Sequence, residues 1–129
     1  MPFADQQFDV ATSNAVLEHV GSRAHQELFV RELTRVARKV FISVPNRYFP
    51  VEHHTAIPFL HYSDAGFRSA CRVLGKVEWT DPQNLILMSR ERLASLVPAG
   101  VEAQVAYSGI ALGPCSSNLY LFVDQSARA

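Results

Sequence analysis

The spacing of apolar residues divides this chain into strand-like and helix-like stretches. Phe8-Asp9-Val10-Ala11-Thr12, with β-branched Val10 and Thr12, predicts a short strand that breaks at Ser13-Asn14. Ser22 is placed to cap a helix running through residue 38, in which Phe29, Leu33, Val36 and Ala37 recur at three- and four-residue steps on one face. Glu27 with Arg31, and Glu32 with Arg35, are spaced to pair on its wet side. Val40-Phe41-Ile42-Ser43-Val44 is apolar on both faces except at Ser43, the pattern of a strand covered by helices on both sides.

Residues 45–62 break this rhythm. Pro45, Pro50 and Pro58 lie among aromatic residues and His53, His54 and His61, which predicts a long ordered loop of the kind that often carries function. Ser63 then caps a helix with Phe67, Ala70, Cys71 and Leu74 inward, ended by Gly75. Asp81-Pro82 is a turn, and Ser89 opens a short helix with Leu93, Leu96 and Val97 inward. Val101, Ala103, Val105 and Tyr107 alternate with more polar neighbours and predict a strand with one wet side. Leu119-Tyr120-Leu121-Phe122-Val123 is apolar on both faces and belongs inside a sheet. With Gly113-Pro114 in the connection, the two strands read as antiparallel neighbours, the last lying between 40–44 and 101–108.

Composition narrows the class. The chain has 129 residues, 48% hydrophobic and 19% charged, which fits one globular domain. Twelve basic and twelve acidic residues cancel, so a broad nucleic-acid surface is not expected and no nucleic-acid partner is assigned. Cys71 and Cys115 form no Cys-x-x-Cys pair and read as two thiols in a reducing compartment. No apolar run approaches the ~20 residues of a membrane span, and the start shows no signal-peptide pattern. A cytoplasmic protein without a membrane span is the expectation.

The order of these pieces resembles a known family. Pro2-Phe3, Phe8-Asp9-Val10, Ser13 and Val16-Leu17-Glu18-His19, followed by the strand 40–44 and Pro45-Asn46, are similar to the middle of class I S-adenosylmethionine-dependent methyltransferases, methyltransferase type 11-like. The resemblance implies a partial Rossmann-like α/β fold: two parallel strands, an antiparallel carboxyl-terminal pair, and helices flanking the sheet. It also implies that residues 1–129 form a single domain, the carboxyl-terminal half of such an enzyme. The six glycines include no Gly-x-Gly, so the Gly-rich loop that holds the cofactor in the family has no counterpart here. The acidic residues that face the cofactor's ribose and adenine have none either. S-adenosylmethionine is therefore expected in a full-length parent, and the chain by itself is expected to be inactive.

The same resemblance suggests site residues. Ser13, Asn14 and Ala15, at the carboxyl end of the first strand, would form the methionine edge of the cofactor pocket; a strand-end turn satisfied by its own side chains is the plainer alternative. Glu18 and His19 are the candidate catalytic pair, able to orient or deprotonate an acceptor hydroxyl, or simply to pack at the pocket rim. Asn46, Arg47, His53 and His54, on the long loop, are candidates for substrate binding or for an ordinary surface loop. No metal ligand set is assigned. Family members that bind a divalent cation carry Glu-x-x-Glu-His here, and the first glutamate is replaced by Ala15. Adjacent His53 and His54 diverge, and Glu52 and His61 add no recognised ligand spacing. Asp9 is assigned to structure. The implied activity is methyl transfer to a small-molecule acceptor. The alternative is a truncated, non-catalytic α/β module that works through oligomerisation or a partner chain. In both cases the outer edge of Phe8–Thr12 would lack a neighbour, so a homo-oligomer through that edge is expected, with apolar surface open near Val10, Leu17 and Phe41.

Overall fold

The computed structural model describes residues 1–128. Its strands are β1 (Phe8–Asn14), β2 (Ala37–Pro45), β3 (Ala103–Ser108) and β4 (Asn118–Asp124); its α-helices are α1 (Arg23–Val36), α2 (Asp64–Val73) and α3 (Arg90–Ala94). Short 3-10 turns cover Leu17–His19, Leu60–Tyr62, Val77–Thr80 and Ser126–Arg128.

The sheet order is β1-β2-β4-β3. β1 and β2 run parallel, which requires a crossover, and α1 provides it. β4 inserts antiparallel between β2 and β3, with Ser43 opposite Tyr120 and Val105 opposite Leu121. This is the placement that the alternation of apolar residues predicts.

Local chemistry sets the boundaries. The Ser22 hydroxyl accepts the His25 amide at 3.1 Å and starts α1. The helix ends two residues earlier than expected. Ala37 is already extended (φ −129°, ψ 146°), and Ala37 and Lys39 lie in register with Phe8 and Val10. Paired strand backbone satisfies these residues better than a last helical turn would. Ser13 and Asn14 likewise stay in β1, in register with Ile42 and Ser43, rather than breaking it. On α1, Glu27 pairs with Arg23 instead of Arg31, at 2.8 Å, while Glu32 and Arg35 pair as expected.

The main core lies on one face of the sheet. Val30, Leu33 and Val36 of α1 and Leu93 of α3 pack on Val40, Ile42, Val44, Leu119, Leu121 and Val123. Leu119 and Leu121 are fully buried, each worth about 2 kcal/mol in transferred side chain. The other face is more open, contrary to the two-sided cover expected for β2. Phe41 is 39% exposed and stacks on Tyr120 at 5.6 Å, and Val10 is 57% exposed. Leu17, expected on the open surface, is instead fully buried.

α2 belongs to a second, smaller core. Phe67, Ala70 and Cys71 pack with Ile57 and Leu85 beneath the long loop. Leu74, expected inward, caps the helix and is 56% exposed, because α2 closes at Val73. The loop itself is pinned by a bridge between Val51 and Pro58.

Candidate functional site

The carboxyl end of β1, beside parallel β2, is where open α/β sheets collect ligands. The chain turns sharply there at Ala15 (φ 51°), and the 3-10 turn Leu17–His19 follows. Buried Leu17 plugs the turn into the core and leaves Glu18 and His19 together at the strand end. The long loop brings His54 to the same place. The His19 and His54 Nε2 atoms are 3.1 Å apart, with the rings edge to face, and Glu18 Oε1 lies 3.9 Å from His19 Nε2. One ligating atom from each of Glu18, His19 and His54 falls within 4.8 Å of the others.

Hydrogen bonds define the imidazoles. His19 Nδ1 faces the Asn84 carbonyl at 2.5 Å and must donate to it. His54 Nδ1 donates to Glu52 Oε1 at 2.9 Å. In the neutral form of each ring, Nε2 is then a bare lone pair. Two lone pairs facing at 3.1 Å repel unless a proton or a cation lies between them. Glu18 adds to this demand: it is 1% exposed, and neither of its carboxylate oxygens has a hydrogen-bond partner. Burial pushes its pKa up, against opposing contributions from its own backbone, His19 and His54.

Glu52 shows the opposite balance. Burial disfavours its charge, but hydrogen bonds from the His54 ring, the Thr55 hydroxyl and both backbone amides hold its pKa at about 2. The ionised Glu52 in turn raises the pKa of His54. A carboxylate and a carbonyl gripping the far nitrogens of two imidazoles is the support that metal-binding histidines use.

The other candidates fall in different places. Ser13 is buried with an unpartnered Oγ, so it has a free group at the strand end. Asn14 Oδ1 accepts from Ser43 Oγ, and the Ala15 amide donates to the Ser43 carbonyl, so much of that edge is engaged internally. Asn46 is buried and its amide donates to the carbonyls of Pro114 and Ser116, pinning the β3–β4 connection. Arg47 reaches the His61 carbonyl and Asp64 Oδ1, at 3.2 and 2.9 Å. His53 stands edge-on to Phe49, lines the same cleft as Glu18 and His54, and has its pKa lowered mainly by burial. The structure brings His54 to Glu18 and His19, which sequence reasoning kept apart, and His53 lies outside that cluster of ligating atoms. Asn84 was missed because it acts through a backbone carbonyl that leaves no side-chain signal. Trp79, 5.3 Å from the His54 ring, was missed too.

Glu18, His19 and His54 fit a divalent cation. The set offers two imidazole nitrogens and a carboxylate, with second-layer partners in place and an orphaned buried acid. The fit to S-adenosylmethionine is partial: Ser13 and the end of β1 supply one edge, and no Gly-x-Gly occurs in the 129 residues to supply another.

Comparison with known proteins agrees with the fold. Residues 1–40 match a family described as methyltransferase domain. A crystal structure of the small RNA methyltransferase HEN1 matches 96% of this chain with a TM-score of 0.58 at 12% identity. The match covers 15% of the HEN1 chain, and at that identity it speaks for the fold alone. No curated protein matches the sequence. The family match lies within the first 40 of 129 residues, and the structural match shows a methyltransferase-like α/β fold. No helix among the described residues is long and apolar enough to cross a membrane.

Proposed function

We propose that this chain supplies the acceptor side of an S-adenosylmethionine-dependent methyl transfer to a small molecule. It would act as the carboxyl-terminal half of the catalytic domain. The observation that carries the reading is the Glu18–His19–His54 constellation at the carboxyl end of β1, in which Glu18 is buried and the two imidazoles half-buried. Bound S-adenosylmethionine would supply an electrophilic methyl group whose bonding electrons stay with sulfur. Ser13 and the backbone of Asn14 and Ala15 would border it. His19 and His54 present Nε2 lone pairs to the acceptor and can take the proton that its hydroxyl loses. Glu18 keeps the net charge there negative when ionised and fixes the orientation of what binds. Where a divalent cation is held by Glu18, His19 and His54 instead, the same lone pairs would be taken by the metal, which would polarise the acceptor oxygen so that its proton leaves to solvent. The expectation of no metal set rested on spacing along the chain; the cation proposed here rests on the distance between loops. Because methyl transfer depends mainly on alignment, holding the acceptor in line is the larger part of the task. In a parent enzyme containing these residues, His19→Ala should lower turnover more than cofactor affinity. Equal loss of both would return His19 to a packing role.

A second reading rests on the strand edge. β1 ends the sheet, and Phe3, Phe8, Val10 and Phe41 are each between 38% and 57% exposed. We propose that two copies pair along Phe8–Thr12, which would serve a non-catalytic module as well as an enzyme.

A further inference from the structure

Next to the histidine pair lies a cavity of about 320 Å³, within the size range of small-molecule sites. One wall is apolar, with Phe67 and Trp79 its aromatic members. The lining also carries Arg23, Arg68 and Arg92, and its single acid is Asp64. The charges do not cancel. Asp64 is taken by Arg47 at 2.9 Å, and Arg23 is taken by Glu27 at 2.8 Å. Among the described residues Arg68 makes no hydrogen bond or ion pair. Arg92 donates only to the neutral carbonyl of Gln26, at 2.9 and 3.1 Å. Two guanidinium charges are left facing the cavity without a counter-charge. Burial first, then Arg23 and Arg47, lowers the Arg92 pKa, and Asp64 opposes the shift.

The cavity is also tied to the site. Fully buried Gln26, which holds Arg92, donates at 3.0 Å to the carbonyl of Leu17, the residue before Glu18. Trp79 packs on the cavity side and against His54. Ile86 and Leu87 line both this cavity and the cleft containing Glu18 and His54.

We propose that this cavity binds the anionic end of the methyl acceptor, a phosphate monoester on an aromatic or similarly flat apolar body. Arg68 and Arg92 would grip the phosphate, and Phe67 and Trp79 would cover the flat body. Two uncompensated cations match a dianion, and guanidinium forks match phosphate oxygens. The link to methyl transfer rests on the reading given under Proposed function; the binding site does not.

Trp79 is the only tryptophan, so its fluorescence reports on the cavity directly. The chain is titrated with phenyl phosphate, phenol, inorganic phosphate and a short single-stranded oligoribonucleotide. Phenyl phosphate should give a saturable change and bind at least tenfold tighter than phenol or inorganic phosphate. Arg68→Gln, at an exposed position without partners, should weaken it about tenfold. The proposal is overturned if phenyl phosphate shows no saturable binding, if phenol binds equally well, or if Arg68→Gln changes nothing. It is also overturned if the oligoribonucleotide binds tighter than phenyl phosphate, since the cavity would then be part of a nucleic-acid surface. Should the cavity behave as expected while His19 and His54 variants leave methyl transfer in a parent enzyme intact, the acceptor-site reading fails and the anion site stands.

Discussion

His19 and His54, thirty-five residues apart in sequence, meet nitrogen to nitrogen at 3.1 Å, each with its other nitrogen committed to an acceptor. That arrangement places two basic lone pairs beside a buried, unpartnered Glu18 carboxylate. Such a cluster costs stability and is built for something to bind.

The first prediction follows from Glu18. Burial raises its folded-state pKa above the ordinary 4.5, so the ionised form is destabilising in the absence of cation. The penalty is absent below pH 4.5 and grows as pH rises through the folded value. Glu18→Gln should therefore stabilise the chain at pH 7 in the presence of a chelator, seen as a higher midpoint in a urea melt. The advantage should vanish at pH 4. A variant less stable than the parent at pH 7 would mean that Glu18 is satisfied by a partner.

Glu52 should behave the opposite way. Its pKa falls from 4.5 to about 2 on folding, so it stabilises the folded state above pH 4.5 and that contribution is lost as pH falls toward 2. The loss is on the order of 3 kcal/mol. Glu52→Gln should be destabilised at pH 7 and show a flatter stability profile between pH 4.5 and 2. His54 shifts upward, so its share is complete below pH 6.5 and declines as pH rises through its folded value. Parallel profiles for parent and variant would contradict the hydrogen-bond account of the loop.

Much of the fold was legible because it follows from alternation. Leu119-Tyr120-Leu121-Phe122-Val123, apolar on both faces, demanded an interior strand, and β4 is interior. Residues 37 and 38 read as helix because Ala37 continues the spacing of Leu33 and Val36; only pairing with β1 makes them strand. At the site, Glu18 and His19 were visible as a pair, but the approach of His54 depends on how the loop folds back. Asn84 contributes a carbonyl, which every residue has.

Cofactor affinity should be low. With no Gly-x-Gly in the sequence and the Ala15 amide already bonded to Ser43, this chain should bind S-adenosylmethionine weakly or not at all by calorimetry. A one-to-one isotherm with a dissociation constant of about 1 μM, some 8 kcal/mol of binding, would place the cofactor elsewhere.

The β1 edge should associate. Light scattering across a concentration series should show a dimer, and Val10→Glu should shift it toward monomer, because charge on an edge strand opposes pairing. A chain monomeric at high concentration would contradict the edge-pairing proposal.

The most direct test of the central claim is calorimetric titration of this chain with a divalent cation, zinc as probe, at pH 7. The account predicts one ion per chain, bound with release of protons as the histidine pair gives up any shared proton. His19→Ala, His54→Ala and Glu18→Gln should each weaken binding at least tenfold, while His53→Ala should leave it unchanged. No binding, or binding that survives all three substitutions, would contradict the claim that Glu18, His19 and His54 form one functional site.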